Sequence, residues 1–255
     1  MAPEIVTVPC LSDNYAFLIH DPASHRTALV DVPEAAPVLA ALDTRGWQLD
    51  EVWLTHHHDD HVQGLDAVLD RYSARVTGAA ADSHRLPALD VQVAGGDTLD
   101  FAGHPVQVMD VPGHTLGHIA FYLEAAGAAF TADSLMALGC GRLFEGTPAQ
   151  MWASLSQLRQ LPGDTLICSG HEYTAGNAKF ALTIDPDNPQ LISRSEQITA
   201  ARASGIPTVP STLALELATN PFLRAADPDI RRRLGMNDAQ DVDVFAEIRA
   251  RKDAF

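Results

Sequence analysis

Residues 55–61 read Thr-His-His-His-Asp-Asp-His and constrain this chain more than any other stretch. They hold four of its eleven histidines and two carboxylates. They follow the apolar segment Val52, Trp53, Leu54, which reads as a short buried strand. The residues beyond, Val62, Leu65, Val68 and Leu69, recur with helical period, so the run occupies a strand-to-helix junction with Asp60 and His61 at the helix start. On extended backbone alternate side chains share a side, so His56 and His58 face one way and His57 the other. Two imidazoles can then hold one cation, and Asp60 with His61 a second. Nitrogen and carboxylate oxygen together suit zinc, iron or manganese, and no thiolate in the run favours a purely structural zinc. A purification tag would be terminal and homopolymeric, whereas this run is internal and interleaved with aspartate.

Three other places repeat the pattern of a ligand-type residue at a strand end. His114 lies in the glycine-rich stretch 112–118 after an alternating strand, where glycine lets backbone approach a site closely. Asp133 ends a second strand with a carboxylate able to bridge two cations, and His171 ends a third. A single histidine after a strand is usually a packed or solvated residue. The conjunction is the signal: His56, His58 and His114 for one ion, Asp60, His61 and His171 for another, and Asp133 between them. Of the remaining histidines, His57 is expected to turn away from the metals, His118 to support the site indirectly, and His20, His25, His84 and His104 to lie on the surface.

Lys and Arg total 17 against 33 Asp and Glu, a formal charge of −16. That balance argues against nucleic acid or an anionic membrane as partner, and an anionic small molecule would need a local basic patch. No apolar run is long enough to span a bilayer, and the start lacks the basic and apolar regions of a secretory signal, so a cytoplasmic location is expected. Cys10, Cys140 and Cys168 have no metal-type or redox-type spacing and read as reduced thiols, Cys10 and Cys168 as small buried apolar groups.

At 255 residues and 46% hydrophobic, the chain can bury a full core in one large domain or two. Strands are expected at 5–8, 16–19, 28–32, 52–54, 75–77, 106–111, 119–123 and 128–131, with a Gly127 turn between the last two. Helices are expected over 33–42, stopped by Gly46, from Asp60 onward, and over 150–161 with Trp152, Leu155 and Leu158 on one face. A strand at 165–168 then leads into Gly170-His171-Glu172. Beyond Tyr173 the chain reads as helical with joints at Pro186, Pro189, Pro207, Pro210, Pro221 and Pro228. Strands flanked by helices suggest an α/β fold with helices covering a layered sheet core, and the change of character places a boundary at 172, giving domains 1–172 and 173–255.

The arrangement resembles the metallo-β-lactamase superfamily, whose HxHxDH signature matches His56, His58, Asp60 and His61. Within it the chain is similar to the hydroxyacylglutathione hydrolases (glyoxalase II) over nearly its whole length. The matching motifs are Val8-Pro9-Cys10-Leu11 with Asp13-Asn14-Tyr15, Gly139-Cys140-Gly141-Arg142, Phe144-Glu145-Gly146-Thr147, Gly170-His171-Glu172-Tyr173-Thr174, Pro210-Ser211-Thr212, Asn220-Pro221-Phe222-Leu223-Arg224, and Arg249 with Lys252-Asp253. The resemblance implies a four-layer αββα sandwich followed by a smaller helical domain. It also implies that Arg142, Tyr173, Arg249 and Lys252 hold glutathione, supplying the cations that the overall charge asks for. Phe144 departs from the family, where a tyrosine is common, and removes a hydroxyl from the expected glutathione contacts.

The activity implied is hydrolysis of S-(2-hydroxyacyl)glutathione thioesters, typically S-D-lactoylglutathione to D-lactate and glutathione, a step of methylglyoxal detoxification. Two divalent metal ions, zinc first with iron or manganese as alternatives, supply hydroxide at neutral pH. Asp60 and Asp133 are the expected catalytic carboxylates, and a monomer acting on a small molecule is expected. A thiolate leaves readily with a pKa of roughly 8.5, so no strong general acid is needed. The competing readings are a persulfide dioxygenase, another hydrolase of the same superfamily, and a non-catalytic metal-binding protein.

Overall fold

The structure is a computed structural model that describes residues 2–255, and its chain divides into two compact units. The first comprises the residues up to Asp110 together with Leu116–Ala132. Its first sheet runs in the order β1 (Glu4–Cys10), β2 (Asn14–His20), β3 (Thr27–Val30), β4 (Glu51–Trp53), β5 (Arg75–Ala79) and β6 (Val91–Val93). The first three strands are antiparallel, and β3 through β6 are parallel. Parallel strands are covered on both faces and therefore read as continuous apolar runs, and all residues of β3 and β4 are buried. In the same unit β7 (Thr98–Phe101), β8 (His104–Asp110), β9 (Ile119–Leu123) and β10 (Ala128–Ala132) form an antiparallel meander. Aromatic rings join the two sets of strands: Trp53 meets Phe101 and Phe121 at centroid distances of 5.7 and 5.4 Å, and Phe17 meets Phe130 at 5.8 Å.

Helix α1 (Ala35–Arg45) stops at Gly46, whose φ of 66° is the left-handed conformation that glycine adopts at no steric cost. The single helix expected from Asp60 is two short ones, α2 (Asp59–Val62) and α3 (Leu65–Leu69). Gly64 interrupts it because its N–H donates to the Val32 carbonyl, and a Cβ there would stand 2.8 Å from the Ala35 nitrogen. His20 is not on the surface. It lies in the fully buried β2, stacked on Trp47 at 4.1 Å and bonded through Nδ1 to Thr27 Oγ1 at 2.9 Å. His25 and His84 are exposed, and His104 is half-buried.

The second unit comprises Val111–Thr115 and Asp133–Phe255. A tight hairpin, β11 (Leu135–Met136) and β12 (Gly139–Cys140), precedes α4 (Pro148–Leu158). That helix begins two residues before the expected start, because Thr147 and Gln150 form a reciprocal capping box with Pro148 at the first position, and it ends three residues before the expected end. Strand β13 (Leu166–Ser169) is followed by α5 (Thr174–Ile184), α6 (Pro189–Ala203), β14 (Ser211–Thr212), α7 (Leu213–Thr219), α8 (Pro228–Leu234) and α9 (Asp241–Asp253), with β14 paired to β13. Pro189 and Pro228 sit at helix starts capped by the side chains of Asn188 and Asp227. Helix α9 packs on α4 through Phe245 and Trp152, 5.8 Å apart.

All three cysteines are free and buried. Burial pushes the Cys10 and Cys140 thiols up to about 11 and Cys168 higher still. Because the thiolate is the reactive form, a disulfide-exchange reagent at neutral pH is expected to label the native protein slowly and all three thiols after unfolding. Rapid labelling of the folded chain would contradict this burial.

Candidate metal centre

In the first unit the donor groups cluster beyond the C-terminal ends of parallel strands, where α/β sheets place their ligands. Asp31 follows β3, Thr55 and His56 follow β4, and Asp82 follows β5. Asp31 adopts a left-handed φ of 56°, a strained conformation for a non-glycine residue. Its carboxylate accepts from the Thr55 N–H at 2.9 Å, from Thr55 Oγ1 at 2.8 Å and from His61 Nδ1 at 2.8 Å. Asp31, His56 and His61 offer ligand atoms within 4.8 Å of one another, but with both its oxygens engaged Asp31 orients His61 rather than competing to ligate. His56 is fully buried, with ring neighbours His58 at 4.8 Å, His61 at 4.2 Å and a stacked His118 at 4.6 Å. Asp60 is held by Asn14, whose Nδ2 donates to both its carbonyl and its Oδ2 at 3.0 Å. His57 pairs instead with the buried Asp82 at 2.9 Å. His118 reaches the Ile119 carbonyl through Nδ1 at 3.1 Å.

In the second unit Asp133 follows β10, His114 lies beyond β8, and His171 lies just beyond β13; all three are buried. Asp133 Oδ2 stands 3.4 Å from His114 Nε2 and 3.3 Å from His171 Nε2. Two ligands held at 2.0–2.1 Å in tetrahedral geometry are about 3.4 Å apart, so these separations suit donors that share cations. Gly141 packs so closely on this carboxylate's own backbone that a Cβ would fall 1.9 Å from the Asp133 carbonyl oxygen. Tyr173 is partly exposed and stacks on His171 at 4.6 Å, and Phe144 meets His114 at 5.3 Å.

The expected substrate cations also fall in this unit. Arg142 is exposed, with its guanidinium 5.5 Å over the Phe144 ring. Arg249 is buried, donating to the Cys140 carbonyl at 3.0 Å and to Asp253 at 2.7 Å. Lys252 is half-buried over the rings of Phe180 and Phe255 at 5.2 and 5.3 Å. Burial, and then the Arg249 charge, hold its ammonium below the ordinary lysine range.

The donor set suits divalent metal ions. His61 Nδ1 faces a carboxylate and His114 Nδ1 a backbone carbonyl, Arg142 O at 2.8 Å, so each Nδ1 carries the proton and each Nε2 presents a lone pair. His56 Nδ1 is likewise engaged by Thr55 Oγ1 at 3.0 Å. Residue pattern does not single out Asp31, Thr55 or Asn14 for this orienting role; Asp31 falls inside the strand expected at 28–32, whereas the strand ends at Val30.

Two sheets whose strands are followed by histidines and carboxylates define a class, and the Metallo-beta-lactamase superfamily matches residues 13–171. The Hydroxyacylglutathione hydrolase C-terminus matches residues 172–255. The chain is 69% identical over 255 residues to the hydroxyacylglutathione hydrolase of Roseobacter denitrificans and 67% identical to that of Ruegeria pomeroyi, with 100% of both chains covered in each case. The solved structure of the BLEG-1 B3 metallo-beta-lactamase shares the fold, with a TM-score of 0.67 at 19% identity over 86% of this chain and 99% of that one. The chain belongs to the hydroxyacylglutathione hydrolase family.

Proposed function

We propose that the chain hydrolyses S-(2-hydroxyacyl)glutathione thioesters, S-D-lactoylglutathione first among them, releasing the hydroxy acid and glutathione in the cytoplasm as a monomer. The observation that carries this reading is the match of residues 172–255 to the Hydroxyacylglutathione hydrolase C-terminus. That match favours thioester hydrolysis over a persulfide dioxygenase, another superfamily hydrolase or a metal-storage role, because the superfamily signature alone is shared among many chemistries. The proposed domains are 1–172, carrying the metal ligands, and 173–255, carrying Tyr173, Arg249 and Lys252.

His56, His58 and His114 would hold one divalent ion and Asp60, His61 and His171 the other, with Asp133 shared; imidazole and carboxylate donors of this kind support the reading. Zinc suits this nitrogen and oxygen donor set, as do iron and manganese. When bound, such ions supply Lewis acidity and lower the pKa of water to about 7. Asp31 and Thr55 fix the imidazoles that carry this load, and Asn14 fixes Asp60. Arg142, Tyr173, Arg249 and Lys252 are the proposed groups for the two glutathione carboxylates and backbone, orienting the thioester toward the metal ligands.

Protein expressed with ample metal is expected to contain close to two ions per chain by elemental analysis and to consume S-D-lactoylglutathione. His171→Ala is expected to lose mainly one of the two. A ceiling of one ion in the wild type contradicts the two-metal assignment, and absence of turnover on any glutathione thioester contradicts the substrate.

A further inference from the structure

We propose that Glu216, acting with Asn220 and Asn177, is a positioning group for Asp133, His114 and Arg142, so that the helical part of the second unit sets the geometry of the metal ligands. This rests on the reading of Asp133 and His114 as metal ligands.

The link between them is the hairpin of β11 and β12. Its turn is strained: Leu138 has a left-handed φ of 56°. A short strained turn needs outside groups to hold it, and four backbone polar groups around it meet side chains of α5, of α7 and of the residue that follows α7. Asn220 Nδ2 donates to the Met136 carbonyl at 3.1 Å and to the Gly139 carbonyl at 3.0 Å. Asn177 Nδ2 donates to the Ala137 carbonyl at 3.0 Å, and the Leu138 N–H donates to Glu216 Oε2 at 2.8 Å. The Leu138 side chain is fully buried in a cluster with Ala178, Ala181, Leu191 and Ile198 of α5 and α6.

Glu216 is itself completely buried and fully engaged. Its Oε2 also accepts from Asn220 at 3.1 Å, and its Oε1 accepts from Ser211 Oγ at 2.5 Å and from the Arg194 guanidinium, which in turn donates to Thr219 Oγ1 at 2.7 Å. A buried carboxylate is costly without such partners. An apolar residue would fill the same space, but it could not hold the Leu138 N–H.

The hairpin transmits this placement to the site. Gly141 N donates to Ser134 O at 3.1 Å and closes the base of the hairpin. The next residue outward on one side is Asp133 and on the other Arg142, whose carbonyl accepts from His114 Nδ1. A shift of the turn therefore moves the shared carboxylate, the tautomer-setting carbonyl of His114 and a substrate cation together.

The test compares Glu216→Gln, Asn177→Ala and a control, Ile230→Val, which trims the buried core of α8 away from the hairpin. Metal retention is read as the chelator concentration that removes half the bound zinc, alongside kcat and Tm. Glu216→Gln puts an amide N–H against two donors, and it is expected to weaken metal retention and kcat by about ten- to a hundredfold, the usual loss when an outer partner of a ligand is removed. Asn177→Ala, which keeps the carboxylate, is expected to fold and to move both readouts in the same direction by a smaller factor. Ile230→Val is expected to lower Tm alone. If Glu216→Gln does not fold, Asn177→Ala decides. Wild-type metal retention in a folded Asn177→Ala, or a loss no greater than the Tm-matched control shows, overturns the proposal. Failure of the wild type to hydrolyse glutathione thioesters would remove the substrate reading and leave the chelator comparison intact.

Discussion

Asp133→Ala is expected to lower kcat by on the order of a thousandfold, equivalent to roughly 4 kcal/mol of transition-state stabilisation, while KM changes little. The carboxylate is buried, and its Oδ2 stands within 3.4 Å of the Nε2 atoms of both His114 and His171. Deleting it leaves two imidazoles facing each other without the anion that would compensate cations held there. Burial matters here because charge compensation in a site of low dielectric is worth far more than at the surface. The measurement is kcat on S-D-lactoylglutathione together with metal content. Asp133→Asn, which keeps volume and removes charge, is expected to lie close to the alanine variant. Near wild-type turnover in either would rule out a shared-carboxylate role and return Asp133 to an ordinary strand-end aspartate.

Lys252→Ala is expected to raise KM for the glutathione substrate about tenfold with metal content and kcat nearly unchanged. Against a net charge of −16, an anionic substrate depends on local cations. A charge pair at about 4 Å is worth roughly 4 kcal/mol at an effective dielectric of 20, before desolvation and ordering, and the net loss is nearer 1–3 kcal/mol. The Lys252 ammonium already lies over two aromatic rings and is held below its ordinary pKa by burial, so an incoming carboxylate recovers part of that desolvation. Binding of the anion then favours the charged form. KM of the wild type should accordingly climb as pH rises through the lowered lysine pKa, and that rise should be missing in Lys252→Ala.

Arg249→Ala is expected to behave differently. Its guanidinium is buried against the Cys140 carbonyl and Asp253 and lies 5.3 Å over Phe222, so its loss should reduce stability by about 2 kcal/mol as well as affinity. If Lys252→Ala leaves KM for glutathione thioesters unchanged while a small uncharged thioester is equally unaffected, the substrate contact falls to Arg142 and Tyr173.

The elements most legible in the sequence are those whose cause is local. Gly46 stops α1, Pro189 and Pro228 start helices, and the apolar runs of β9 and β10 flank the left-handed Gly127. The strand-end positions of His56, His114, Asp133 and His171 belong to the same category, because a strand and the polar residue following it are read from adjacent positions. Less legible were boundaries that depend on a neighbour. The break at Gly64 comes from the backbone of residues 32–35, and the burial of His20 comes from Trp47, which is remote in sequence.

Residue identity and short spacing carry the family, the types of candidate donor side chain and their place after strands. What holds the candidate donors in place emerges when distant segments pack. Asp31 reaches Thr55 and His61, Asn14 reaches Asp60, and Glu216 reaches Leu138 across 78 positions. Nothing in the pattern around Asp31 or Glu216 distinguishes a solvated carboxylate from a buried one. Their roles follow from hydrogen-bond partners that exist only once distant strands and helices pack, and burial then makes each of those bonds costly to lose.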